Sequence, residues 1–386
     1  MKNKALLQFN KSKKENFNFL KFNDFIKFKS GVDSKNNISN YNDKTAIPWI
    51  KLGDIKNNKI NFEKCDFLLN ETKNLAKLND LLVCWSTNPG YSFFASKPLL
   101  FSTAFYKFEN KEENVTNAFI HFWLQKNKKN VEKNAVGSTL KKVNMKLFGN
   151  ILINHPSLEE QTKIANFLTL LDKQIQLIER KLELYELRKK YYLNNIFCDE
   201  YSNLPKLRFK NFCDKWLCSN FGNLFDIKAS GDLDISKFSK IKDDLHNFPV
   251  FSNSVSNKGL YGYYSEKSNN GNCLTITARG EIGVCFFRDN DFKGIGRLLI
   301  ARSENLNHIF SSYYINSKLK IYEEKTCVSQ LTIPKFSLNK INYPSLEEQT
   351  KIANLFSSLD ESIQNLKKQK DQLTKRKTYY LNNMFV

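Results

Sequence analysis

The sequence is poor in the residues that punctuate a fold or build common catalytic sites. Its 386 residues include only 14 Gly, 8 Pro and 4 His. No GxxxxGK[ST] loop occurs, and no GxGxxG follows a strand pattern, so the usual backbone cradles for nucleotides and dinucleotides are missing. The eight cysteines (65, 84, 198, 213, 218, 273, 285 and 327) form no Cys-x-x-Cys pair, and His121, His155, His246 and His308 lie at no ligand spacing to them. Neither a metal site nor a disulfide framework is expected, and the thiols are read as reduced and buried. No run of about 18 apolar residues is present to span a bilayer. The opening Met1-Lys-Asn-Lys-Ala-Leu-Leu-Gln8 is too poor in apolar residues for a signal peptide, so a cytoplasmic location away from membranes is expected. Acidic residues are scarce as well: 39 Asp and Glu against 60 Lys and Arg leave a net charge of +21, which implicates a polyanion as partner. An anionic membrane is one such surface, but no lipidation motif or segregated basic helix supports it. Nucleic acid is the better fit.

Catalytic groupings are missing too. Asn88-Pro-Gly90 starts like the Asn-Pro-Pro-aromatic motif of amino-methyltransferases but lacks the second proline and a preceding Gly-rich loop, so it reads as a turn. Arg279-Gly-Glu-Ile-Gly283 offers no nucleophile with a base, and Asp54 has no second carboxylate at a useful spacing. The chain is not expected to be an enzyme.

A hydrophobic content of 41% with 32 Phe gives material for two or three folded domains. An exact repeat organises them. Pro156-Ser-Leu-Glu-Glu-Gln-Thr-Lys-Ile-Ala-Asn166 returns unchanged as Pro344 to Asn354, 188 positions later, and Arg188-Lys-Lys-Tyr-Tyr-Leu-Asn-Asn195 returns with one change at Arg376 to Asn383. Ser157 with Glu160, and Ser345 with Glu348, read as capping boxes after a proline that prevents an earlier helix start. From there Ile164, Leu168, Leu171, Ile175, Ile178, Leu182, Tyr185 and Tyr192 alternate four and three apart, with Lys189 breaking the stripe. The second copy runs Ile352, Phe356, Leu359, Ile363, Leu366, Leu373 and Tyr380, with Lys370 and Lys377 in the apolar register. Such a stripe needs a partner helix. At 1.5 Å per residue each helix is a rod of roughly 60 Å. The simplest partner is the other copy, antiparallel if a pseudo-twofold relates the halves. The alternative is that each helix packs on its own domain.

The regions between the helices are mixed α and β. Strand patterns occur at Ile47–Ile55, Leu81–Trp85, Phe101–Phe108 and Leu274–Cys285 (broken by a turn at Gly280), and from Phe292 to Ala301. Ala118–Gln125 reads as a short helix followed by a basic stretch, Lys126–Lys133. Phe22–Lys29 is echoed by Phe221–Lys228, and Gly137–Leu140 by Cys327–Leu331, so the halves read as diverged duplicates. The expected division is 1–155, a first globular domain; 156–200, a helical spacer; 201–342, a second globular domain; and 343–386, a second spacer.

The duplicated Pro156–Ala165 and Pro344–Ala353, running on to Leu171-Asp172 and Leu359-Asp360, resemble the specificity (S) subunit of type I restriction-modification systems. Ile47-Pro-Trp-Ile-Lys-Leu-Gly-Asp-Ile55, Phe248-Pro-Val-Phe-Ser-Asn253 and Ile276-Thr-Ala-Arg-Gly280 resemble the interior motifs of its recognition domains. Two features depart from the pattern: Lys370 in the second seam, and the lack of a Pro205-Lys-Leu-Arg-Phe209 equivalent in the first half. The resemblance implies an α+β fold with two mixed α/β target recognition domains, separated by two long antiparallel helices in an intramolecular coiled coil. It further implies a non-catalytic subunit that recognises a bipartite double-stranded DNA target. Two modification subunits would methylate adenine and restriction subunits would cleave, so S-adenosylmethionine, ATP and Mg would belong to those partners and this chain would hold no cofactor. Two alternatives are a structural DNA-binding protein with little sequence preference and the specificity arm of another restriction enzyme.

Base edges need polar or basic side chains on loops, and phosphates need Lys or Arg. The candidates in the first domain are Ser86, Thr87, Asn88, Tyr91, Ser138, Thr139, Lys141 and Lys142. In the second they are Ser252, Asn253, Ser254, Lys258, Tyr261, Thr277, Arg279 and Gln330. Candidates for docking the modification subunits are Glu159, Glu160, Gln161, Tyr191 and Tyr192, with Glu347, Glu348, Gln349, Tyr379 and Tyr380.

Overall fold

The computed structural model describes residues 18–33, 38–39, 47–56, 59–62, 65–68, 74–111, 114–136, 142–199, 202–319 and 330–385. Four helices position everything that follows: α1 (Asn117–Lys133), α2 (Leu158–Asn195), α3 (His308–Lys318) and α4 (Leu346–Met384). The chain divides into two compact units, one made of residues 1–178 with 369–386 and the other of 179–368. Each unit therefore holds one globular region together with part of α2 and part of α4.

The two globular regions share one topology. In the first, an antiparallel sheet runs in the order Ile26–Ser30, Phe105–Asn110, Leu81–Cys84, Ser92–Phe94. In the second the order is Asp226–Ala229, Leu299–Arg302, Cys273–Ile276, Cys285–Arg288, again antiparallel. A second sheet in each contains one parallel pair: Ile47–Ile50 with Leu100–Phe101, and Phe248–Phe251 with Lys293–Gly294. A strand just before the globular region pairs with the one entering the long helix, Asn18–Lys21 with Leu152–His155 and Leu217–Asn220 with Lys340–Tyr343. Single helical turns at Phe22–Phe25 and Phe221–Leu224 follow the first strand of each pair. The duplication suspected at Phe22–Lys29 and Phe221–Lys228 thus extends through the sheets.

Several boundaries differ from the sequence reading. α1 continues through Lys126–Lys133, because Val131 is buried two turns beyond the last aromatic, Trp123, while the lysines are half-buried or exposed. The expected strand Phe101–Phe108 is two strands separated by a turn. α3 was not anticipated: His308-Ile-Phe-Ser-Ser-Tyr-Tyr-Ile315 is rich in β-branched and aromatic residues, yet Asn307 caps it, its Oδ1 accepting from Phe310 N–H at 3.0 Å. Packing overrode propensity here. Phe310 and Ile315 are buried in the second core.

Phenylalanine builds both cores. Phe22 touches Phe25, Phe108, Trp123 and Phe148 at centroid distances of 4.9–6.2 Å. Fully buried aromatics each contribute about 1.5–3 kcal/mol by burial, with a further 0.5–1.5 for a well-placed ring pair. The ends of the long helices join these cores through equivalent contacts. Phe385 lies 4.9 Å from Phe119 of α1, and Phe197, 188 positions before Phe385, lies 5.5 Å from Phe310 of α3.

Within each unit the two long helices run antiparallel. In the first, Phe167 meets Tyr380 at 4.7 Å and Asp172 meets Lys377 at 2.6 Å. In the second, Lys189 pairs with Asp360, and Glu186 with Lys367 at 3.1 Å. Rising numbers on α2 meet falling numbers on α4 in both. The lysines that interrupt the apolar stripe, Lys189 and Lys377, do not weaken the seam: each is 188 positions from the other, and each pairs with the repeated aspartate of the opposite helix. Partly buried pairs of this kind mainly fix register.

The start of each long helix shows why its motif repeats. Ser157 Oγ and Ser345 Oγ accept from Glu160 and Glu348 N–H, both at 3.4 Å, as a capping box requires. The next residue reaches across to the shorter helix. Gln161 Oε1 accepts from Thr116 N–H at 2.9 Å, and Gln349 Oε1 from Asn307 N–H at 2.8 Å. Both glutamines also donate back to the carbonyl of the preceding proline, Pro156 or Pro344. One side chain thereby ties the first residues of the long helix to the N-cap of the short one.

Candidate nucleic-acid interface

In the second unit, the side chains at the ends of the strands are held by a network around Asn253. Its Oδ1 accepts from Ala278 N–H at 2.7 Å and its Nδ2 donates to Gly296 carbonyl at 2.6 Å. One amide therefore joins three loops. Thr277 is fully buried, and its hydroxyl donates to Glu281 carbonyl and accepts from Val284 N–H. It braces the turn that ends Cys273–Ile276 and presents Arg279 at its tip beside Gly280 (φ 70°). Arg279 and Gln330 are bridged through the backbone and by Nη2 to Oε1 at 3.3 Å, and both are exposed. Ser254 and Lys258 are exposed on the neighbouring loop, while Ser252 is half-buried at its base. Tyr261 stacks on Phe238 at 5.4 Å with Lys240 Nζ 3.6 Å above its ring. Sequence reasoning missed Phe238 and Lys240. Phe238 lies 23 positions before Tyr261, and only the pairing of Phe238–Ser239 with Tyr263–Tyr264 brings them together, so no local sequence signal was available.

The matching loop of the first unit is smaller. Ser86–Gly90 joins Leu81–Cys84 to Ser92–Phe94, closed by Gly90 N–H to Cys84 carbonyl at 2.9 Å. Thr87 sits exposed at its tip with φ 66°, a conformation costly for a β-branched residue. Ser86 is bridged to Lys142 as Arg279 is to Gln330. This pairing aligns Lys142-Val143 with Gln330-Leu331, a shift of register from the match suggested by Gly137–Leu140 and Cys327–Leu331. Lys142 is exposed, and its ammonium lies 5.5 Å from the Trp85 ring.

The structure therefore narrows the candidate set. Thr277 and Asn253 are consumed in holding the loops, and Ser86 is buried at 8% exposure. Tyr91 packs its ring on Phe93 at 6.0 Å, and burial pushes its phenol up to about 12. Thr87, Asn88 and Lys142 remain in the first unit, and Ser254, Lys258, Tyr261, Arg279 and Gln330 in the second. Ser138, Thr139 and Lys141 lie outside the described residues.

The docking candidates divide in the same way. Glu160, Gln161, Glu348 and Gln349 are all 2% exposed or less. The two glutamines hold the helix junctions described above, and Glu348 takes two parallel bonds of 2.8 Å from Arg208. Burial thus removes all four from the surface. Tyr192 and Tyr380 are half-buried in the seam. Glu159 and Glu347 are exposed and pair with Lys163 and Lys351 one turn on, and Tyr191 and Tyr379 are 56% and 57% exposed.

Among the described residues, no group of three His, Cys, Asp or Glu side chains is placed to hold a metal ion. The described cysteines are free. Burial pushes Cys65 up to about 11 and Cys198 up to about 12, whereas Cys213 and Cys218 are exposed, contrary to the sequence expectation. Cys327 lies outside the described residues. A cleft of about 900 Å³ in the second unit mixes Lys189, Lys190, Lys258 and Lys367 with Glu186, Asp360 and Glu361, and its central charges already pair with one another.

Residues 14–186 and 214–375 match the family model described as the type I restriction modification DNA specificity domain. The chain belongs to that family. This specificity subunit is 24% identical over 399 residues to the MjaVIII specificity subunit of Methanocaldococcus jannaschii, covering 95% of this chain and 92% of the relative. It is 29% identical over 225 residues to a putative type I specificity subunit of Mycoplasma pneumoniae, covering 55% and 56%. Its fold is similar to the crystal structure of a type I S subunit from M. genitalium, with a TM-score of 0.71 at 15% identity over 100% and 99% of the two chains. A chain from a structural study of type I complex assembly matches with a TM-score of 0.51 at 15% identity over 96% and 97%. Members of the family are non-catalytic DNA-recognition subunits. Among the described residues of this one, no helix is long and apolar enough to cross a membrane.

Proposed function

We propose that this specificity subunit recognises a bipartite double-stranded DNA target in the cytoplasm and directs adenine methylation and cleavage by its partners. Each globular region reads one half-site, and the paired helices set the separation of the two. Two half-sites on one face of a duplex are about 34 Å apart. Helices of 38 and 39 residues are about 57 Å long, enough to impose that distance. Two modification subunits dock on the repeated helices and restriction subunits join them. S-adenosylmethionine, ATP and Mg belong to those subunits. The observation that carries this reading is the recurrence of one sheet topology and one loop bridge, Ser86 with Lys142 and Arg279 with Gln330, in both units.

Mapping methylated adenines in the host genome with and without this gene tests it. The expected result is a split motif, two short specific stretches around a fixed unread spacer, that disappears when the gene is removed. Methylation unchanged by the deletion, or binding with a steep salt dependence and no sequence discrimination, points instead to a structural DNA-binding protein.

Arg279→Ala is expected to lower discrimination at one base position of the second half-site by about 1–3 kcal/mol if the guanidinium reads a guanine edge. Binding to a panel of single-base target variants checks this. An equal loss across the panel demotes Arg279 to a phosphate contact.

Docking has a surface feature of its own. Leu170, Leu177 and Leu184 recur every seven residues on α2, outside the seam, at 54%, 64% and 47% exposure. Their repeats on α4 are Ser358, Asn365 and Gln372. Leu177→Glu places a charge in that row without touching the core, so the subunit should fold normally yet recover less modification subunit on co-purification. Full recovery would show that the row is not used.

A further inference from the structure

The loop carrying Ser252, Ser254 and Lys258 has an unusual shape. Asn257, Lys258 and Gly259 have φ values of 48°, 52° and 82°, so three successive residues sit in the left-handed region. For the two non-glycine residues this backbone is unfavourable and needs support from outside the loop. Only part of that support is local: Ser252 N–H donates to Gly259 carbonyl at 2.9 Å, pinching the loop at its base.

The remainder comes from Arg288, at the end of strand Cys285–Arg288. Its side chain is buried at 5% exposure and lies between two rings, with the guanidinium carbon 3.6 Å from the Phe251 centroid and 5.0 Å from that of Phe286. Nε donates to Thr275 Oγ1 at 2.8 Å, and Nη2 donates to Lys258 carbonyl at 2.7 Å. Burial pulls the guanidinium pKa down to about 10, still far above neutrality, so the group stays charged. A charged guanidinium is costly to bury unless its donors are used. Here one donor is anchored in the sheet and another holds the carbonyl of Lys258, in the middle of the left-handed run.

We propose that Arg288 is a positioning residue for DNA recognition: without touching DNA, it fixes the conformation of the Ser252–Gly259 loop and thereby the base discrimination of the second recognition domain. The corresponding strand of the first domain, Ser92–Phe94, is followed by Ala95, so this clamp is confined to the second half-site. The inference rests on the proposed reading of a bipartite target.

The test uses the full chain assembled with its modification subunits, scoring adenine methylation on a target library randomised across both half-sites at several salt concentrations. Arg288→Met is expected to reduce discrimination by about tenfold at one or two positions of the second half-site. The first half-site and the salt slope of binding should stay unchanged, because no phosphate contact is lost. Arg288→Lys keeps the charge and can reach one of the two acceptors, so it should recover part of the discrimination. If Arg288→Met does not fold, two milder changes probe the same clamp. Thr275→Val removes the hydroxyl that orients Nε. Gly259→Ala distorts the loop from its other side, since its Cβ would lie 2.8 Å from Ser252 carbonyl oxygen at a φ of 82°. Both should relax the same positions. Folded variants with an unchanged motif overturn the proposal, as does a loss spread equally over both half-sites. A wild-type complex that yields no split motif overturns the functional reading itself, and a split motif that ignores these variants overturns the clamp alone.

Discussion

Arg208→Met is expected to destabilise the second unit by about 3–5 kcal/mol, because it leaves a buried carboxylate without its counter-charge. Arg208 Nε and Nη2 each donate at 2.8 Å to one oxygen of Glu348, a fork-to-fork pair in which the glutamate side chain is 1% exposed. That pair anchors the segment after α2 to the first turn of α4. Removing the arginine alone takes both bonds from a Glu348 carboxylate that stays buried. Removing both partners should cost much less, so Arg208→Met with Glu348→Leu should be more stable than Arg208→Met alone. Urea unfolding of the wild type, the two single variants and the double variant measures the coupling. Additive losses would show that the pair is solvated and contributes little, as exposed pairs do.

The same glutamate shows how far the sequence could be read. Ser345 with Glu348 announces a capping box, and the serine half of it is present. The carboxylate, however, goes to Arg208, 140 positions earlier, a partner that local spacing cannot reveal. Helix existence, antiparallel pairing and the seam positions were readable because a 3.5-residue apolar period speaks directly about burial. Lys189 and Lys377 looked like flaws because a single stripe does not show its cross-helix partner; Asp360 and Asp172 supply one for each. The candidate site was readable only as a set of loops. Thr277, Asn253, Ser86 and Tyr91 share residue types and sequence neighbourhoods with Thr87, Asn88, Ser254 and Tyr261, and only burial and hydrogen bonds separate residues that shape a loop from residues that remain candidates. Arg288 was invisible for the same reason: it lies between the strand patterns that end at Cys285 and start at Phe292, and its importance depends on the Phe251 ring, the Thr275 hydroxyl and the Lys258 carbonyl brought to it by other segments.

Acid should loosen the first unit in a specific pH window. His121 Nδ1 lies 2.9 Å from Ser92 Oγ, and its Nε2 lies 2.7 Å from Gln125 Nε2. The amide can only donate to that nitrogen, so the ring is neutral with its proton on Nδ1, donated to the serine. Gln125 Oε1 in turn accepts from Lys377, which pairs with Asp172. Burial, and then the nearby Lys377 charge, lower His121 to about 4 from the ordinary imidazole value near 6.5. Between those values the unfolded chain binds a proton that the folded chain does not, so stability rises with pH across the window. The contribution is complete above pH ~6.5 and disappears progressively as pH falls toward 4, an effect of at most about 3 kcal/mol. A second proton on the ring would face the Gln125 NH₂ group, donor against donor, and disturb the chain of bonds that ends on the long-helix ion pair. His121→Gln removes the titration but can keep one bond, so its stability should vary less with pH over this range, whatever its absolute level. Hydrogen exchange of the α1 amides from pH 7 to pH 4.5, corrected for intrinsic rates, reads the opening of that helix directly. Parallel pH dependences in the two proteins would mean that the ring takes up its proton without penalty and that acid sensitivity arises elsewhere.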